Sequence, residues 1–170
     1  MTKKLLSSLS KSQSESFSLT QYPTGENSNA WYYPERTRAE DGSEAYQQTV
    51  NEVACTDAAA SYIASAYPTW PIPTGAVITS VTVQIKFRTA WTDRKLTVAA
   101  SWNTGTNYTT WQTYDLPPTT GWISYDALQG HPVWTKAELD LLRTRFCGPF
   151  NSVTYPLYVD VVKVVVTYEV

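Results

Sequence analysis

The sequence predicts an all-β protein, two antiparallel sheets packed as a β-sandwich, and three observations predict it. The run "AVITSVTVQIKFR" (76–88) sets Val77, Val81, Val83, Ile85 and Phe87 on one face and Ile78, Ser80, Thr82, Gln84, Lys86 and Arg88 on the other. A period of two over a dozen residues marks a strand with one face in a core and the other in water. The closing run "LYVDVVKVVVTYEV" (157–170) repeats the pattern with Val162, Val164, Val166, Tyr168 and Val170, and its other face is apolar enough for a central strand. Composition is the third observation. Of 170 residues only 16% are charged, below the usual quarter, while 42% are hydrophobic and 14% aromatic, with 7 Trp and 12 Tyr. The polar surface must therefore be mostly Ser, Thr, Asn and Gln, which suits an all-β chain.

The elements follow in order. Residues 1–28 are Ser-rich without a sustained apolar period, and read as a flexible or extended arm that orders against a partner. One sandwich domain is expected over residues 29–170. "NAWYYPERTRAEDGSEAY" (29–46) is aromatic, then charged, with a turn at Asp41–Gly42, and reads as loop with a short strand. Residues 47–67 are ambiguous, because their alanines allow a helix and their small polar residues suit strand and turn. "PTWPIPTG" (68–75) holds three prolines and a glycine, so it breaks regular structure and marks an entry turn into the first long strand. "KLTVAASW" (95–102) alternates through Leu96, Val98, Ala100 and Trp102, and "NTGTN" (103–107) is a turn. Weaker strands lie at 109–116 and 121–128 around Pro117–Pro118. At least five strands with a single good helix argue a two-sheet sandwich, jelly-roll-like in its expected strand order.

The helix is expected in "HPVWTKAELDLLRTRF" (131–146). Thr135 and Glu138 have the spacing of a capping box, and Trp134 with Leu139 that of a hydrophobic staple. Leu139, Leu142 and Phe146 then form an apolar stripe, Arg143 and Arg145 occupy the last turn, and Gly148–Pro149 stops the helix. Each special residue of this stretch so has a structural task. His131, the single histidine, precedes Pro132 and is confined to extended or turn geometry. No orienting partner or nucleophile stands at a spacing that would make it catalytic.

Other chemistry is sparse. One histidine and two remote cysteines give no zinc pattern, and Asp93, Asp115, Asp126 and Asp160 are too scattered for a calcium loop. Asp160 shares the strand face of Val162 and is expected to bind backbone N–H groups near a loop. Neither a phosphate loop nor a dinucleotide fingerprint occurs, so no cofactor, metal or catalytic residue is expected. A formal net charge of -2 without charge runs argues against nucleic acid and anionic membranes, and no apolar run reaches a membrane span. The first residues lack the apolar core of a secretory signal. Cys55 and Cys147 are therefore read as small buried apolar residues, with a disulfide as the alternative. Trp91, Trp102, Trp111 and Trp122 lie on or beside strands; exposed in a flat row they would stack on sugars, and otherwise they fill core or interface.

The segments "IPTGAVITSVTV" (72–83), "WTKAEL" (134–139) and "VDVVKVVVTY" (159–168) resemble those of β-sandwich domains in phage virion proteins and some bacterial surface proteins. The resemblance covers roughly residues 54–170 and speaks to architecture. It implies a non-enzymatic virion component, such as a capsid decoration, head-fibre or tail accessory protein. Such a chain is made and assembled in the host cytoplasm, oligomerises, and docks on major capsid or tail proteins. The arm and the aromatic segment Trp31, Tyr32 and Tyr33 are the expected contacts. The alternative is a carbohydrate-binding or host-receptor-binding module that reads a surface glycan.

Overall fold

Alternating side chains build the strands, and the order in which the strands pair builds the sandwich. In a computed structural model, residues 14–28, 31–47, 62–92, 94–148 and 157–170 are described. They form β1 (Ser16–Gln21), β2 (Gly25–Ser28), β3 (Trp31–Tyr32), β4 (Ala45–Gln47), β5 (Tyr62–Ser65), β6 (Val77–Arg88), β7 (Arg94–Ser101), β8 (Gln112–Leu116), β9 (Thr120–Asp126), β10 (Arg143–Cys147) and β11 (Leu157–Glu169). A 3-10 turn spans Pro34–Arg38, and one turn of α-helix, α1, spans Lys136–Asp140.

The first sheet runs β3-β4-β11-β6-β9, with β1 paired to the far half of β11. The second runs β2-β5-β10-β7-β8. Every pairing is antiparallel. Counted along the chain, β1 and β5 to β11 make eight strands, whose spatial orders are 1-8-3-6 in one sheet and 2-7-4-5 in the other. Two four-stranded sheets joined by connections that mostly cross between them define a jelly roll. β2, β3 and β4 fall in the link between its first and second strands and widen both sheets.

The inner faces bury Val81, Val83, Ile85, Val162, Val164 and Val166 from one sheet and Leu96, Val98, Ala100, Tyr62 and Phe146 from the other. Trp70 is fully buried at the entry turn and donates its indole N–H to the Leu139 carbonyl at 3.1 Å. Core tyrosines satisfy their hydroxyls locally. Tyr67 Oη meets Thr144 Oγ1 at 2.8 Å, and Tyr62 Oη meets Thr37 Oγ1 at 2.6 Å.

Two bulges overrule simple alternation. In β6, Ser80 and Ile78 pair with consecutive residues Thr167 and Tyr168, so Thr79 is the extra residue. The parity flips there: Ile78 packs against the core and Val77 stands 62% exposed, opposite to the face expected for it. In β11, Val159 pairs with Phe87 and Val161 with Lys86, leaving Asp160 without a partner residue. Asp160 therefore leaves the inner face. Its carboxylate accepts the Gly42 N–H at 3.2 Å and pairs with Lys86 at 2.8 Å, the loop-binding role expected of it.

Three further expectations need correction. The arm does not extend to residue 28. β1 pairs Ser16–Gln21 with Glu169–Val164, and β2 pairs with β5; only residues 1–13 of the expected arm lie outside the described residues. The helix does not extend to Phe146. Its capping box forms, with Glu138 N–H on Thr135 Oγ1 at 3.2 Å and Thr135 N–H on Glu138 Oε2 at 2.8 Å, and Trp134 and Leu139 are both buried. After Asp140 the chain turns, and "RTRFC" alternates as β10, with Thr144 and Phe146 inward. Cys147, finally, is disulfide-bonded, and Cys55 is the chain's other cysteine, outside the described residues. Two free thiols are thus not what the chain holds.

Candidate functional site

The first sheet carries an aromatic and cationic row on its outer face. It starts at Tyr33, which sits in the left-handed region at φ 56°, ψ 50° and caps the 3-10 turn begun by Pro34. For a bulky residue this backbone is unfavourable. It sends the ring outward, 48% exposed, where the Arg36 guanidinium lies 4.0 Å above it. Tyr46 of β4 follows at 6.1 Å between ring centroids, then Tyr158 of β11 at 5.9 Å. These two face each other directly across the strand pair, as do Tyr158 and Arg88 of β6. Arg88 closes the row with its guanidinium 4.0 Å over the Tyr158 ring. It is held there by a two-pronged pair with Glu44, Nε to Oε1 at 2.8 Å and Nη2 to Oε2 at 2.5 Å. The Glu44 hydrogen bonds raise its pKa above the ordinary value, so it stays charged throughout the accessible range.

One row further along the same face, Trp122 of β9 stands opposite Lys86 and is 41% exposed. Lys163 Nζ lies 4.3 Å from its ring. The loop between the 3-10 turn and β4 is tied down beside this row by Arg38 with Glu26 and by Lys86 with Glu40 and Asp160.

The expected contact residues separate. Trp31 is only 6% exposed, packed edge-on against Tyr62 and Phe146 in the core. The side chain of Tyr32 is outside the described residues. Tyr33 is on the surface and belongs to the row. Sequence reasoning missed its companions Tyr46, Tyr158 and Arg88, which lie in three different strands. Only pairing register brings them together; Arg88 falls on the water-facing parity of its strand, whereas simple alternation sets Tyr158 on the face of Val162, and the bulge at Asp160 is what turns it outward.

The tryptophans do not line up. Trp31, Trp70 and Trp134 are buried, Trp91 and Trp122 are exposed, and Trp102 and Trp111 are partly covered. His131 is stacked flat on Trp102 at 4.0 Å and edge-on to Trp134 at 5.0 Å. Its Nε2 lies 3.2 Å from Glu138 Oε1, within ion-pair range though not aligned as a hydrogen bond. The other oxygen of Glu138 is already taken by the Thr135 N–H and Oγ1. The imidazole so braces the helix cap and faces no nucleophile. Among the described residues, no group of three or more His, Cys, Asp or Glu side chains could gather a metal ion, and no helix is long and apolar enough to cross a membrane.

No protein-family model matches the chain, and neither a curated protein nor a solved structure matches it.

Proposed function

We propose that the protein is a non-enzymatic bacteriophage virion component, a capsid decoration or a head or tail accessory protein, that oligomerises and docks on other virion proteins through the tyrosine–arginine row. The virion assignment rests on the resemblance of the segments now seen as β6, α1 and β11. The docking assignment rests on the row itself. Tyr and Arg concentrate in the energetic centres of protein interfaces, Tyr because it presents a large rigid surface at little entropic cost and Arg because its planar guanidinium both stacks and hydrogen-bonds. Here three tyrosines and two arginines form one surface, and Tyr33 holds a strained backbone conformation to join it. Strain of this kind persists where the exposed side chain has a use.

A glycan reader needs ring faces that are free and share a plane. Successive rings of the row are tilted by 54° and 48°, and the faces of Tyr33 and Tyr158 are covered by guanidinium groups. This geometry favours a protein partner over a sugar. The competing glycan reading rests on the exposed Trp91 and Trp122.

Light scattering on the intact chain and on Tyr158→Ala, with retention on immobilised polysaccharides, tests the choice. A multi-copy mass that falls in the variant, without retention, is expected. A monomer indifferent to the substitution and held by polysaccharide overturns the reading. Gold-labelled antibody against the chain should decorate purified particles; unlabelled particles would refute the virion assignment.

A further inference from the structure

A second surface lies at the end of the sandwich where β6 begins and β11 ends. A groove of about 630 Å³ runs between the entry turn and α1, lined by Ile72, Pro73, Val77, Val133, Trp134 and Ala137, with Lys136 and Asp140 at its side. Pro73 also borders a neighbouring hollow formed with Glu15, Phe17, Tyr168 and Val170. Together they make an apolar trough. Its walls leave Val77 62%, Val133 70%, Val170 63% and Phe17 41% exposed. Large apolar side chains clustered at one end, beside few charges, mark a place that another chain covers.

We propose that the trough receives the leucine-bearing segment of residues 1–13 from a second copy of the chain. This deepens the proposed function and rests on its oligomeric part. The segment carries Leu5, Leu6 and Leu9, with Lys3 and Lys4 before them. Three leucines suit the apolar floor, and the lysines suit Glu15 at its margin, while Asp140 is already paired with Lys136 at 2.8 Å. The point where the segment joins the sandwich decides which copy receives it. β1 opens at Ser16 opposite Glu169, and the Val170 N–H bonds the Glu15 carbonyl at 3.2 Å. Read backward from Gln21, the described chain thus runs along β11 to the end of the sheet, where Ser14 is its first described residue. Entering its own trough requires a reversal at the rim; a copy abutting this end receives it without one. From Leu9 to Ser14 an extended chain reaches about 17 Å, enough to cross such a contact.

The test uses the intact chain, a variant lacking residues 1–13, and Val133→Asp, whose side chain is exposed and whose fold is checked by circular dichroism. Light scattering should give a multiple of 19.1 kDa for the intact chain and the protomer mass for both variants. A synthetic peptide of residues 1–13 should bind the truncated protein, and at least ten-fold more weakly once Val133→Asp is added. Truncation that leaves the assembly intact overturns the inference; if Tyr158→Ala still dissociates that assembly, the proposed function stands without it. A monomeric intact chain whose trough rejects the peptide, while the truncated protein accepts it, also overturns the inference, because the segment then occupies its own copy. Failure of the peptide to bind the truncated protein removes the segment as occupant altogether.

Discussion

Cutting the chain before Pro23 removes β1 and separates two accounts of the first residues. A free arm would leave stability unchanged. The structure instead makes β1 the first strand of the jelly roll, covering the edge of β11 along Val164 to Glu169. What is lost can be estimated from its inward side chains. Leu19 packs partly buried against the core, contributing about 1–2 kcal/mol. Phe17 stacks on Tyr168 with centroids 5.4 Å apart and 20° between planes, about 0.5–1.5 kcal/mol more. The ladder hydrogen bonds are offset largely by the entropy of ordering six residues. A net loss of roughly 2–4 kcal/mol follows, and for a chain of this size that lowers the melting temperature by roughly 5–15 °C. Calorimetry on the intact chain, the cut before Ser14 and the cut before Pro23 measures it. The first cut removes no described residue and serves as the reference, because both cuts lose whatever subunit contacts residues 1–13 make. If the second melts within about 2 °C of the first, β1 is not part of the cooperative unit and the strand assignment fails.

The other predictions are smaller in scope. At Tyr33, glycine should be more stable than alanine by about 1 kcal/mol in chemical denaturation, since only glycine relieves the positive φ; equal stabilities would mean the backbone is unstrained. Thr135→Ala should cost about 1 kcal/mol through loss of the helix cap, measured the same way. Cys147→Ser, or reduction, should lower stability by about 2–5 kcal/mol, and an unchanged melting curve would contradict the disulfide. Burial raises the pKa of Tyr62, Tyr67 and Tyr125, and pushes Tyr114 up to about 12. These phenols stay neutral in the folded chain after their unfolded counterparts ionise near pH 10, so the unfolded state binds fewer protons there. Stability is then complete below pH 10 and lost above it, by about 1.4 kcal/mol per pH unit for each deeply buried tyrosine; a melting temperature flat to pH 11 would refute this.

The parts of the fold that were legible in the sequence are those where local chemistry and final geometry agree. β6, β7 and β11 alternate over 8 residues or more, and the two-sheet class follows from them. The capping box of Thr135 and Glu138 was readable because both partners lie within one turn. The illegible parts have a common cause. Bulges at Thr79 and Asp160 shift side-chain parity by one, and nothing in the residues themselves marks an extra residue in a ladder. β10 reads as helix in the sequence because Phe146 continues the helical stripe of Leu139 and Leu142, and equally, after a turn, faces inward from a strand. β1 reads as an arm in the sequence because its outward residues Ser16, Ser18 and Thr20 resemble a polar tract, while its inward Phe17 and Leu19 become a face only against β11.

The same reasoning explains why the candidate contact surface was only partly visible. Tyr33, Tyr46, Arg88 and Tyr158 stand 13, 42 and 70 residues apart along the chain, and no local pattern links them. They become one surface because β4 and β6 flank the same end of β11, with the bulge at Asp160 just beyond Tyr158. At that bulge Asp160 meets the Gly42 amide and Lys86, which anchors the loop leading into β4 and so the position of Tyr46. The bulge therefore links fold and proposed function. If Asp160→Asn loosens that loop, it should weaken self-association with little effect on the core, read as a dissociation constant raised several-fold at an unchanged near-ultraviolet spectrum. An unaltered dissociation constant would show that the row is held by its strands alone, and that the loop's carboxylate anchor has no part in presenting it.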